Sequence, residues 1–364
     1  MDKGSYTFQA LSSKYEDFQG PAFTIKVDGT ELNSTKMPIT SLEVELCADG
    51  SAGGCCFVVE SLYDFAQAQW ISNLAKTIQV GAKLEVTGGY VKQELIFYGY
   101  VDEFSIEYSG SGPPRLTVTG IDGFGYLMSC QQPIYAGQKA PQKVVEEILN
   151  KAVSAGYAKS VTVGALSGFT MPVVKERIND FQYLSLLAHR YSMSLFSVAG
   201  ELIFDNVAGN SSPLISFTVG TGLIDFQKRM SLQGQVGKVE IWGRDVNQKF
   251  IKGTASSVSI GGSGKSAAEL APKFKQAVLR EYSEYVRTEK ECTELAQARL
   301  DSQALNFVSG TGTCVGIPEL IPGRYISVKG LDDDTEGSYF LSKVRHCFAG
   351  AGYYTEFEVK GAKA

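Results

Sequence analysis

Apolar and polar residues alternate with a period of two through most of the first third of the chain. The runs at 23–27, 41–46, 54–60, 83–87, 95–108 and 115–120 carry this pattern, with turn chemistry at Asp28-Gly29 and over 109–114. Such alternation predicts half-buried antiparallel strands. A short helix is expected over 64–74. After Gln131 the period lengthens. Pro141 stands at a first-turn position, and Val144, Val145, Ile148, Leu149 and Ala152 share one face of a helix ending near Gly156. A second helix opens at Asn179 or Asp180 and carries Phe181, Leu184, Leu187, Ala188 and Tyr191, followed by a hairpin of 195–198 and 202–204 across Ala199-Gly200. Strands return over 214–219, 238–243 and 250–253, and the Gly/Ser-rich stretch 253–266 reads as a flexible loop. Thr288 and Glu291 then form a capping box for a helix whose Cys292, Leu295, Ala296 and Ala304 face inward.

One strand pattern occurs twice. Gly81, Leu84, Val86 and Gly88 reappear at the same spacing as Gly323, Ile326, Val328 and Gly330. Each copy has a similar second half, with Val118 and Gly120 closing Arg115–Gly120 and Val359 and Gly361 closing Glu356–Gly361. Glycine at the ends of an alternating strand permits the tight reversals that close a small sheet or barrel. A β-module used twice is therefore expected, flanking an α+β insert.

At 364 residues the chain exceeds what one core usually serves. The pattern divides it into an arm at 1–20, a first β-module at 21–130, a middle domain at 131–212, and a second β-module at 213–364 holding the inserted helix and the 253–266 loop. The polar arm is expected to order only against a partner. With 44% hydrophobic and 20% charged residues the composition is that of a soluble globular protein. No apolar run is long enough to span a bilayer, and Met1 to Tyr6 lack a basic region followed by an apolar one, so a cytoplasmic protein is expected. A net charge of −5 without a basic stripe argues against nucleic acid as partner. The seven cysteines, Cys47, Cys55, Cys56, Cys130, Cys292, Cys314 and Cys347, are odd in number and lack framework spacing, which fits reduced thiols.

Candidate chemistry is sparse. Gly264-Lys265-Ser266 ends like a phosphate-cradling loop, but the glycine needed five positions before Gly264 is Ser259. Two histidines, His189 and His346, are too few for most zinc sites or triads, and Cys347 adjoins His346 on a strand and so points to the other face. Asp332-Asp333-Asp334 with Glu336 lacks the spacing of a calcium loop and reads as a solvated turn, and Glu146-Glu147 do not face each other. No catalytic, cofactor-binding or metal-binding residue is expected.

The helix at Glu294 to Arg299, the series Gly310, Gly312, Gly316, Pro318, Leu320, Pro322, Gly323 and Gly330, and then Gly337, Tyr339, Val344, Arg345, His346, Gly352 and Tyr353 to Val359 resemble the phage late-control D protein family. Asp180-Phe181, Leu184, Leu187-Ala188, Arg190-Tyr191, Phe196, Gly200 and Leu202 to Phe204 are similar to its helix-hairpin signature. That family includes contractile-tail hubs and the hub portion of VgrG proteins. The resemblance implies a mainly β fold, with two tube-like antiparallel β-barrel modules flanking a helix-hairpin domain. It further implies a structural baseplate hub, not an enzyme. Three subunits would form a pseudo-sixfold ring joining a hexameric tail tube to a separate trimeric spike, in contact with tape-measure and baseplate wedge proteins. Such a hub is assembled in the cytoplasm into the baseplate of a phage tail or injection particle. A tail-associated cell-wall hydrolase and a carbohydrate-binding module are the competing readings. The first needs a convergent catalytic set and the second a groove of exposed aromatics.

Overall fold

The alternating segments become two sheets of the same plan in a computed structural model, which describes residues 4–32, 38–60, 63–67, 69–70, 77–110, 112–131, 140–166, 178–332, 334–350 and 352–364. The described residues are 44% strand and 22% helix. The first sheet contains β1 (Ala22–Val27), β2 (Ile39–Cys47), β3 (Gly54–Glu60), β4 (Lys83–Gly89), β5 (Gln93–Glu107) and β6 (Arg115–Ile121). The second contains β7 (Pro213–Val219), β8 (Gly222–Met230), β9 (Val308–Val315), β10 (Tyr325–Lys329), β11 (Gly337–Ala349) and β12 (Gly352–Gly361).

Neighbours run β2-β3-β6-β5-β4-β1 in the first sheet and β8-β9-β12-β11-β10-β7 in the second, which is one order written twice. In the second sheet β7 also meets β8, closing a six-strand barrel. Among the described residues no ladder joins β1 to β2, so the first sheet is open there. The copies differ in one polarity: β1 runs antiparallel to β4, whereas β7 runs parallel to β10.

Both inner faces feed one hydrophobic core. Leu84, Val86, Val118, Ile326, Val328 and Val359 all lie in it, together with Phe57, Phe97, Phe217 and Phe357. A second core lies under the middle of the chain, where the helices Pro141–Ser154 and Asp180–Tyr191 cover a small sheet of Ser160–Val163, Ser194–Val198 and Glu201–Asp205. Asn179 caps the second helix with a full capping box. Between β8 and β9 the chain inserts a sheet of Lys238–Arg244, Phe250–Ala255 and Val278–Tyr282, with the helix Glu289–Ala304 against it. Val239, Ile241 and Leu295 of this insert pack into the middle core with Leu184 and Leu187.

Three expectations are corrected. Tyr63–Asp64 and Gln69–Trp70 pair as an antiparallel hairpin where a helix was expected; residues 68 and 71–74 lie outside the described residues. Its reason is aromatic packing, since Tyr63 meets Phe65, Trp70 and Tyr108 edge-on at 5.2 to 5.6 Å. The N-terminal segment needs no foreign partner to order. Its helix Phe8–Lys14 buries Leu11 and precedes the buried Tyr15, and the Tyr6 amide donates to Leu214 at 2.7 Å. The 253–266 stretch is also pinned, by the Ser259 amide donating to Asp301 at 2.7 Å, reciprocal bonds between Lys265 and Ala364, and a Ser266–Glu269 capping box.

Because one core serves both sheets, Val86→Ala and Val328→Ala should each cost about 1–3 kcal/mol and shift the same denaturant transition. Chemical unfolding followed by fluorescence checks this; an unchanged midpoint for either variant would remove that residue from the core.

Candidate assembly interface

A strand 13 residues long, β11, joins the two sheets. One edge is bonded to β12 from Phe340 to Ala349. The other edge is divided: Gly337 to Phe340 pair with β10, and Lys343 to Phe348 pair with β2 of the first sheet. The inward side chains at this junction are Val344, His346 and Phe348 from β11 and Leu42, Val44 and Leu46 from β2, all buried. Outward, Lys343 Nζ bonds Glu45 at 2.9 Å and Arg345 bonds Glu43 at 2.5 Å and Glu356 at 3.5 Å. These pairs are partly exposed and contribute little energy each, so the apolar rungs hold the junction and the charges fix its register.

Phe348 explains one of the repeated glycines. Its ring stacks on Tyr353 with centroids 3.9 Å apart and meets Phe23 edge-on at 5.3 Å. It fills the space where a Cβ on Gly88 would lie 2.7 Å from its Cζ. Gly88 is thus a contact glycine inside β4, whereas Gly330 has φ +77° in the turn after β10.

The first glycines of the two copies do the same work. Gly81 and Gly323 have φ +84° and +80°, a region that favours glycine. The Gly81 amide donates to Val101 at 2.8 Å, and Val101 donates back to Ala82 at 2.9 Å. The Gly323 amide donates to Leu341 at 2.9 Å, and Leu341 donates back to Arg324 at 2.8 Å. Leu84 and Val86 face Gly99 and Phe97 across the ladder, as Ile326 and Val328 face Tyr339 and Gly337.

Bulges then interrupt β5 between Val101 and Glu103 and β11 between Leu341 and Lys343. The rung before each bulge pairs Val101 with Gly120 and Leu341 with Val359. By these ladders Gly120 stands beside Val359, and Val118 beside Phe357, two residues from the match that spacing gives; Gly361 pairs instead with Val308. A slip of two preserves the inward face, so alternation carries no trace of it.

Beyond its bulge β5 differs from β11 in having one neighbour. Among the described residues, Glu103 to Glu107 are bonded to β6 and to no strand on the other edge. Likewise Asp225 to Met230 of β8 are bonded to β9 alone. Large apolar side chains are exposed at both edges: Phe104 by 36%, Ile106 by 43% and Tyr108 by 60% on one, and Met230 by 45% on the other.

The remaining candidate chemistry does not converge. His189 lines a cleft of 320 Å³ with Arg299 and Asp301, and its carbonyl accepts from Arg299 at 3.3 Å. His346 is buried in the barrel junction, where its Nδ1 bonds the Tyr353 hydroxyl at 2.9 Å. Burial pushes its imidazole down to about 4. All seven cysteines are free, and burial raises the thiols of Cys55 and Cys314. Among the described residues no cluster of His, Cys, Asp and Glu could hold a metal ion. Glu336 accepts from the amides of Gly330 and Leu331, making a structured turn, while Asp333 lies outside the described residues. No helix among the described residues is long and apolar enough to cross a membrane.

A family model for the Alg8 N-terminal domain matches residues 19–349. No curated protein matches the chain. Among solved structures it is similar to the 43 kDa tail protein of prophage MuSo2 from Shewanella oneidensis, at 17% identity over 94% of this chain and 99% of that one, with a TM-score of 0.68. A tail protein from Neisseria meningitidis MC58 is similar at 15% identity over 94% and 96% of the two chains, with a TM-score of 0.65. The E. coli c3393 protein, a component of the type VI secretion system with structural similarity to T4 phage tail proteins, follows at 12% identity, 93% and 76% coverage and a TM-score of 0.54. The shared property is the fold, that of phage tail and VgrG-like baseplate proteins.

The depressed His346 pKa has a consequence for stability. The unfolded imidazole titrates near 6.5 and takes up its proton before the folded one, so this contribution is complete above that pH and is lost as pH falls towards 4. Relative to His346→Gln, the wild-type protein should lose roughly 3 kcal/mol between these limits. Denaturant titrations of both proteins at pH 7 and pH 4.5 check this; a gap that stays constant with pH would contradict it.

Proposed function

The chain belongs to the family of the Alg8 N-terminal domain, and we propose that it is the baseplate hub of a contractile tail or injection system. Three copies form a ring in which six β-modules surround a channel, matching a hexameric tail tube on one side and a trimeric spike on the other. The observation that carries this reading is the strand order written twice, with β11 already bonding one module to the next within a single chain. A chain that contains its own module-to-module junction needs only one further contact of the same kind to propagate a ring. The polar face running across β8, β9, β12, β11, β2, β3, β6 and β5 lines the channel, with Arg229, Thr311, Glu358, Lys343, Glu45 and Thr119 among its residues. Its charges are of both signs and interleaved, which suits a conduit that must not hold its cargo.

The role is structural and not enzymatic, and tape-measure and wedge proteins are further neighbours in the baseplate. Lys265→Ala should leave assembly intact, because Lys265 is exposed and its backbone makes the bonds to Ala364.

Light scattering and electron microscopy of the hub co-expressed with its spike test the ring. Three copies of this chain per particle, with a central channel, are expected. A stable one-to-one complex, or a ring of six copies, would overturn the proposal.

A further inference from the structure

We propose that the unpaired edge of β5 in one chain pairs antiparallel with the unpaired edge of β8 in a second copy, repeating between chains, with its charges inverted, the junction that β11 and β2 make within one. This assignment rests on the ring reading and adds to it a register and a specificity device.

The register follows from two anchors. The matching bulges set Glu103 of β5 beside Lys343 of β11, and so Phe104 beside Val344 and Ile106 beside His346. For the receiving strand, Val44 pairs with Cys55, which pairs with Gly120, while Lys228 pairs with Gly310, which pairs with Val359. Gly120 and Val359 are the equivalent rungs before the bulges, so Val44 of β2 corresponds to Lys228 of β8, Glu45 to Arg229 and Leu46 to Met230. Within the chain Val344 faces Leu46 and His346 faces Val44. Between chains Phe104 therefore faces Met230, and Ile106 lies against the stem of Lys228.

Two features mark both edges as halves of one interface. The exposed Phe104, Ile106 and Met230 occupy positions whose counterparts Val344, His346 and Leu46 are buried at the internal junction. An edge that exposes large apolar side chains is an invitation to pairing that a soluble protein usually blunts. Charge is complementary too. The internal diagonal Lys343 to Glu45 becomes Glu103 to Arg229. The inversion excludes wrong partners: β5 laid on a β2 would set Glu103 against Glu45, and β11 laid on a β8 would set Lys343 against Arg229. Only the alternating order of modules avoids both, and that order is head-to-tail and can close.

Charge reversal in the full-length chain, co-expressed with the spike, tests the proposal. Glu103→Arg and Arg229→Glu should each raise the half-assembly concentration of the trimer about tenfold, and the double variant should recover it to within about twofold. Recovery failing in the double variant, while the wild-type trimer forms, would overturn this register and leave the ring standing. A second test does not depend on solubility of the reversed variants. Phe104→Cys together with Met230→Cys should give covalent multimers up to a trimer on oxidation, which either single variant should not. Intrachain products alone, or no product from an assembled trimer, would sink the pairing, and absence of any trimer in the wild-type protein would sink both it and the ring.

Discussion

A strand that outruns its neighbour leaves backbone groups that a second strand, another chain or water must satisfy, and this constraint organises the molecule. β11 is bonded to β10 only as far as Phe340, and the backbone from Lys343 onward must be satisfied on that edge by something else. The first sheet supplies β2, and the bulge after Leu341 redirects the strand at the point where it changes partner. Much that relates the two modules passes through this arrangement: the apolar rungs of the shared core, the diagonal ion pairs, and the stacked rings of Phe348 and Tyr353 over Gly88.

The same constraint explains why the glycines differ in kind. Gly81 and Gly323 adopt a left-handed backbone so that the chain can turn into its strand and bond the residue ahead of the bulge. Gly88 has no such need and is small because a foreign strand brings an aromatic ring onto it. Identical letters in the repeat thus reflect two separate physical demands, backbone conformation in one case and clearance in the other.

Much of the architecture was legible in the sequence, because period-two alternation reports a strand with one wet face and needs no long-range information. The six long strands of the first sheet, β7 of the second, the capping boxes at Asn179 and Thr288, and the repeated Gly-Leu/Ile-Val pattern all belong to that class, whereas β8, β9 and β11 carried no such reading. Pairing register did not, since alternation is blind to a shift of two residues, and the offset of Val118 and Gly120 against Phe357 and Val359 is fixed only by the bulges. The expected 64–74 helix gave way to aromatic contacts made with Tyr108, far along the chain. The N-terminal segment carried a readable signal, Phe8, Leu11 and Tyr15 at helical spacing, that its polar composition obscured. The edges of β5 and β8 that lack a neighbour among the described residues were invisible for a simpler reason: a missing neighbour has no residue to mark it.

The N-terminal helix has a consequence of a mechanical sort. Lys14 reaches Glu94 at the start of β5 and Glu319 beyond β9, both at 2.6 Å, and Tyr15 donates to the same Glu319 at 2.7 Å from a fully buried position. One short helix is therefore fastened to both sheets at once. In the proposed ring, any angular error between the two sheets would accumulate around the circuit until the last seam failed to meet. A brace costing a few side chains sets the bend before the circuit begins, so that curvature is a property of the folded subunit and is not negotiated during association.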